Sequence, residues 1–161
     1  QEVSLDENAR LIARARKRGV MTILNAAPAI LPSYDVLESI DCLVVNEIEL
    51  QMICEAFQLS GNDLPARLAD ALGAVVIATY EAEGVLRTDG TDTLHIPARP
   101  VQVVDTTGAG DTFVGVYAAS LARGLGAVQA LEHANAAAAL CCTRRGAQAA
   151  QASLEEYSAS L

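Results

Sequence analysis

The decapeptide Val104-Asp105-Thr106-Thr107-Gly108-Ala109-Gly110-Asp111-Thr112-Phe113 holds the residue types best suited to chemistry in this 161-residue chain. An apolar run enters it from Val101, and Phe113, Val116, Tyr117, Ser120 and Leu121 then recur at helical spacing to about Arg123, so a glycine-bracketed turn opens a helix. The first amides of a helix lack intrahelical partners and carry the positive end of its dipole. Gly108, Ala109 and Gly110 let the backbone come close to an oxygen-rich ligand, and phosphate is the natural guest. Two readings fit the Asp111 that follows. It caps the helix, as Asp commonly does, or it is an ionised carboxylate that orients and deprotonates a hydroxyl attacking a phosphoryl group held by the adjacent amides. Phe113 stands where Gly-x-Gly-x-x-Gly needs its third glycine, and no Gly-Lys-Ser/Thr follows, so neither the dinucleotide fingerprint nor the P-loop applies.

The elements that must position this turn follow from composition and patterning. The chain is 52% hydrophobic and 4% aromatic without Trp, which suits closely packed helices on a sheet. Its length fits one domain that buries roughly 70% of its extended-chain surface. A net charge of −9 argues against nucleic acid as a partner. Without an apolar run of about 18 residues or an opening signal peptide, the chain reads as soluble and cytoplasmic, with no membrane partner. Cys42, Cys54, Cys141 and Cys142 form no Cys-x-x-Cys pair and read as buried thiols in a reducing compartment.

In chain order, residues 6–18 form an amphipathic helix stopped by Gly19, and 20–24 a short strand. A short helix over 34–39 precedes a strand over 42–45, and then Asn46 and Glu49 either form a capping box for a helix over 47–57 or act as polar groups at a strand end facing a ligand crevice. A helix over 62–72 is capped by Asn62, has Pro65 in its first turn and ends at Gly73. A buried strand over 74–79 follows, then short strands over 84–88, 93–96 and 101–104, with Asp89-Gly90 turning between the first two. His95 lies on a strand face. An alanine-rich helix over 127–143 leaves His133 exposed, and Ser153 caps a helix to Leu161 with Glu156 at the matching box position. This order predicts an α/β fold, a Rossmann-like parallel sheet flanked by helices with a few antiparallel strands. The chain opens on Gln1 in the middle of a helix-strand unit, as expected of a fragment.

The string from Asp105 to Asp111 resembles the signature of the ribokinase-like carbohydrate kinases, the family that includes ribokinase, fructokinase and adenosine kinase, matching Asp-Thr-x-Gly-Ala-Gly-Asp at every fixed position. Asn25-Ala26-Ala27-Pro28-Ala29 is similar to the family's Asn-Pro-Ala-Pro-Ala segment, and Arg144-Arg145-Gly146-Ala147 to its Arg-x-Gly-Ala segment; these two favour ribose among acceptors. The resemblance covers essentially the whole chain but only the C-terminal half of such a kinase, without the half that carries most sugar-binding residues and the lid. It implies ATP-dependent transfer of a phosphoryl group to a sugar hydroxyl, with Asp111 as base and Gly108, Ala109 and Gly110 as oxyanion amides. It also implies Mg²⁺ arranged by Asn46 and Glu49, nucleotide contacts from Thr79, Glu81 and Gly84, and Asn135 beside the adenine. Glu81 replaces the middle glycine of the family's Thr-x-Gly-x-x-Gly, which predicts weakened ATP binding. In several members a monovalent cation such as K⁺ binds oxygens equivalent to the Asp105 carboxylate and the carbonyls of Thr107, Cys141, Arg144 and Gly146, whereas Ala150 replaces a common Ser ligand. A non-catalytic nucleotide- or phosphate-binding module, or an inactive fragment, is the alternative, and homodimerisation of the complete protein stays open.

Overall fold

Short apolar strands alternating with amphipathic helices give α1 (Leu5–Lys17), β1 (Ile23–Asn25), α2 (Tyr34–Leu37), β2 (Cys42–Asn46), α3 (Glu47–Ala56), α4 (Leu64–Leu72) and β3 (Val75–Tyr80). They continue as β4 (Gly84–Thr88), β5 (Thr93–Ile96), α5 (Ala109–Ala122) and α6 (Ala127–Cys141). The computed structural model describes residues 2–153 together with Glu156 and Tyr157. Contacts divide the chain into two compact units, Gln1–Tyr80 with Leu86–His95, and Glu81–Val85 with Ile96–Leu161.

The sheet order β1-β2-β3-β4-β5 follows the sequence, and β1, β2 and β3 lie in the first unit. β1, β2 and β3 pair in parallel, with Ile23 beside Cys42, Cys42 beside Val75 and Asn46 beside Thr79. The β3–β4 and β4–β5 links are far too short for a crossover, so those strands are antiparallel and the sheet is mixed. α3 and α4 cover one sheet face, where Leu43, Val45, Val76 and Ala78 join Ile53, Leu68 and Leu37 in the core. Cys42, Val44 and Ile77 are buried as well, so β2 and β3 read as continuous apolar runs, as strands covered on both faces do. α1 has Ser4 accepting from the Glu7 amide, acid in its first turn and Arg14, Arg16 and Lys17 in its last, which suits the helix dipole.

In the second unit, α5 and α6 form a helical hairpin in which Ala130, Ala134 and Ala137 are buried with Phe113 and Tyr117. Small side chains let the helices approach closely. Phe113 and Tyr117, one turn apart, stack with centroids 6.3 Å apart.

Several elements differ from the sequence expectation. β1 starts at Ile23 because Val20 and Met21 are exposed and the Asp41 carboxylate takes both the amide and the hydroxyl of Thr22. Asn62 is not the cap of α4. Asp63, in the left-handed region, holds that place without a side-chain bond, and the Asn62 carbonyl instead accepts from Arg67 Nε. Residues 101–104 form no strand, since the amides of Val104 and Asp105 are drawn to the Cys142 carbonyl at 2.8 and 3.2 Å. His133 is half-buried rather than exposed, edge-on to the Tyr157 ring at 5.6 Å. Cys142 is half-buried, unlike the other three thiols. Ser153 and Glu156 form the expected reciprocal cap, while the continuation of that helix to Leu161 lies outside the described residues. No helix among the described residues is long and apolar enough to cross a membrane.

The two isoleucines of α3 give a direct check of this core. Ile53 is 0% exposed and Ile48 73% exposed. Urea unfolding is expected to show a loss of about 2–5 kcal/mol for Ile53→Ala and less than about 0.5 kcal/mol for Ile48→Ser.

Candidate functional site

In the first unit, the carboxyl ends of the parallel strands carry polar residues, the place where open α/β sheets bind ligands. Asn46, the last residue of β2, caps α3: its Oδ1 accepts from the Glu49 amide at 2.9 Å, and Glu49 Oε2 accepts from the Asn46 amide at 2.9 Å. Glu49 Oε1 also accepts from Asn46 Nδ2 at 3.1 Å, and Glu49 as a residue is only 3% exposed. Each Glu49 oxygen thus keeps about one lone pair, enough to accept from a metal-bound water. Thr79, the register partner of Asn46, donates its hydroxyl to the Val45 carbonyl at 3.3 Å. The structure therefore brings Asn46, Glu49 and Thr79 together.

In the second unit, the turn predicted to hold phosphate starts α5 at Ala109, with Gly108 as N-cap at φ 79°. Two constraints require glycine there. The left-handed backbone disfavours a side chain, and an added Cβ would lie 2.9 Å from Ala147 Cα. Gly110 differs, because an added Cβ would meet nothing within 4 Å, so packing leaves its outer side open. The amide of Ala109 is already given to the Thr106 carbonyl at 3.1 Å, while those of Gly108, Gly110 and Asp111 have no protein acceptor among the described residues. Asp111 lies exposed in the first helical turn and, with Thr112 and Gly115, borders a groove of about 560 Å³ that runs to Arg123 and His133. The Thr112 hydroxyl is buried there without a hydrogen-bond partner among the described residues.

Asp105 fixes the entry to this turn. Its Oδ1 accepts from the Thr107 amide and hydroxyl at 2.9 and 2.7 Å, and its Oδ2 accepts from the Gly146 amide at 2.9 Å. The Gly146 and Thr107 bonds hold its pKa down from 3.8 to about 2. The Cys141 thiol donates to the Thr107 carbonyl at 3.8 Å. Asp105, Thr107, Cys141 and Gly146 are thus brought together. Arg144, whose carbonyl the cation reading invokes, sends its guanidinium to Glu156 at 2.7 Å. The bonds from Arg144 and the Ser153 amide lower the Glu156 pKa to about 2.

The predicted nucleotide residues of this unit also converge. Gly84 has φ 102°, and an added Cβ would stand 2.2 Å from the Ile96 carbonyl oxygen. Asn135 Nδ2 donates to the Pro97 carbonyl at 2.8 Å. Both therefore hold residues 96–98. Glu81 is exposed at φ 24°, a backbone shape that suits the glycine it replaces. Sequence reasoning missed the Cys141 thiol and the Glu156 partner of Arg144. No periodicity reports such contacts, although the capping spacing of Ser153 and Glu156 located the latter carboxylate.

The depressed Asp105 pKa makes a stability statement with a definite sign. Stabilisation is complete above the unfolded value of 3.8 and is lost as pH falls through about 2. Urea midpoints of Asp105→Asn are therefore expected to lie below those of the unchanged chain at neutral pH, with the gap closing as the solution is acidified through that window.

Residues 1–153 match the sequence profile of the pfkB family carbohydrate kinases. Ribokinase of Schizosaccharomyces pombe is 32% identical over 171 residues, covering 99% of this chain and 52% of that protein. The crystal structure of ribokinase from Thermotoga maritima superimposes with a TM-score of 0.83 at 32% identity, over 91% of this chain and 51% of that one. Arabidopsis thaliana ribokinase, solved in complex with ribose and ATP, gives a TM-score of 0.88 at 27% identity, over 99% of this chain and 53% of that one. The chain spans about half the length of the curated relatives it matches. With the profile running unbroken from the first helix through the Gly108–Asp111 turn to Ser153, this chain belongs to the pfkB family of carbohydrate kinases.

Proposed function

We propose that the complete protein is an ATP-dependent sugar kinase of the ribokinase kind, acting in the cytoplasm on a primary hydroxyl of ribose or a similar sugar. The observation that carries this reading is the α5 N-terminus, where amides of Gly108 and Gly110 without protein acceptors stand beside an exposed carboxylate, Asp111. In the proposed step the acceptor hydroxyl gives its proton to Asp111 as its oxygen bonds to the γ-phosphorus of ATP. The bond to the bridging oxygen breaks, and its electron pair leaves with ADP. The Gly108 and Gly110 amides and the helix dipole meet the charge on the transferring group, while the Ala109 amide, bound to Thr106, keeps the turn in shape. Mg²⁺ would supply neutralisation of phosphate charge, and Glu49, with a spare lone pair on each oxygen, would be the residue that accepts from its waters. Gly84 and Asn135 act through residues 96–98 to set the nucleotide wall.

The likeness of family and fold to a ribokinase solved with ribose and ATP supports the acceptor class. Because the chain spans half the length of its relatives, we expect the 161-residue piece alone to lack turnover. A binding module without catalysis is the second reading, favoured by the carboxylate of Glu81 at a glycine-like position.

Two variants of the complete protein test these assignments. Asp111→Asn is expected to lower kcat for ribose phosphorylation by roughly 10²–10⁴-fold with little change in the ATP KM, and near-normal turnover would remove Asp111 as base. Glu81→Gly is expected to lower the ATP KM several-fold, and an unchanged value would dissociate Glu81 from nucleotide binding.

A further inference from the structure

α5 has no polar face. Of its fourteen residues only Asp111 is charged, and helices apolar all round are covered all round, whereas a surface helix such as α1 turns a charged face to water. Phe113 and Tyr117 are buried accordingly, yet Gly115 and Ala119 are exposed. Gly115 is the sharper case. A glycine inside a helix weakens it, and an added Cβ here would meet nothing within 4 Å, so no packing among the described residues calls for one. Its missing side chain serves a backbone that approaches from outside.

Gly115 and Ala119 line a groove of about 560 Å³ whose lining lies wholly in the second unit. α5 contributes Asp111, Gly115, Ala119 and Arg123, each four residues from the next, and α6 contributes His133 and Ala137. Residues at four-residue steps form the ridges and grooves that helix packing uses, and small ones let the partner's axis come near. From Asp111 to Arg123 the row rises about 18 Å, roughly three turns of helix. Its two ends carry opposite charges. A helix lying parallel to α5 sets its positive N-terminus at the Asp111 carboxylate and its negative C-terminus at the Arg123 guanidinium. The ribokinases described above carry about as much polypeptide again as the part they share with this chain.

We infer that the α5 groove seats a helix, parallel to α5, from the part of the complete protein that lies outside these 161 residues. The inference concerns packing and stands whether or not the protein phosphorylates a sugar. The seated helix would begin beside Asp111 and close that side of the turn. In the complete protein, Gly115→Ala reads the groove by the sign of the change in thermal midpoint. An open groove accepts the methyl group, and the gain in helix propensity raises the midpoint by a few degrees. A helix seated against Gly115 leaves it no room, so a fall of several degrees is expected. A rise or an unchanged midpoint overturns the proposal. A second measurement identifies the occupant. With a diazirine side chain in place of Val116, which also lines the groove, irradiation is expected to cross-link α5 to a peptide of the same molecule outside residues 1–161, in equal yield at high and low protein concentration. Adducts with water alone, cross-links confined to residues 1–161, or cross-links to a second copy that fade on dilution overturn it.

Discussion

Three hydrogen bonds into one carboxylate set the shape of the turn that opens α5. Asp105 bonds to Thr107 two residues on, a local contact of the kind Asp makes readily in turns. It also bonds to Gly146, a contact that only tertiary structure supplies. The local bonds bend the chain before the helix, and the distant one ties that bend to the segment leaving α6. Gly108 then places the first turn of α5 against Ala147, so the amides of Gly108 and Gly110 hold their direction without a ligand. A site whose donors are already aimed loses little when charge develops before them, which is the physical advantage of preorganisation.

The Asn46–Glu49 pair applies similar economy at the end of β2. A capping box and a metal-water site are alternatives only if they compete for the same lone pairs. The box uses one lone pair on each Glu49 oxygen and leaves the other. Burial of the carboxylate fixes its orientation and limits its access, so a role through water suits it better than direct coordination.

The parts legible in the sequence are those governed by local rules. Gly19 and Gly73 stop helices in left-handed conformations, Asp89-Gly90 turns between β4 and β5, and the capping pairs at Asn46 and Ser153 form as their spacing implies. The misread parts are settled by distant partners. Residues 101–104 have strand composition, yet the amides of Val104 and Asp105 go to Cys142 rather than to a neighbouring strand. Asn62 has the residue type of a cap, but the helix begins one residue later, at Leu64 behind Asp63. His133 has helix-surface spacing, and nothing nearby in sequence announces the Tyr157 ring that half-buries it. Within the candidate site, motif spacing located the turn and its carboxylate, whereas the commitment of the Ala109 amide and the Cys141 thiol required coordinates.

Glycine patterns also mix two demands that the structure separates. Gly84 and Gly108 are required by backbone packing, since an added Cβ would stand 2.2 Å from the Ile96 carbonyl oxygen in one case and 2.9 Å from Ala147 Cα in the other. Gly110 meets no such wall, so its lack of a side chain matters only to something approaching from outside the chain. Glu81 is the converse. Its backbone keeps a glycine-like shape at φ 24°, and its side chain is exposed, so packing accommodates the carboxylate while the conformation is strained. The positive φ carries a folding cost for a side chain there, and the exposed charge adds a separate effect on any anionic ligand. A glycine at this position would therefore relieve backbone strain and remove a charge at once, two effects that unfolding and nucleotide affinity report separately.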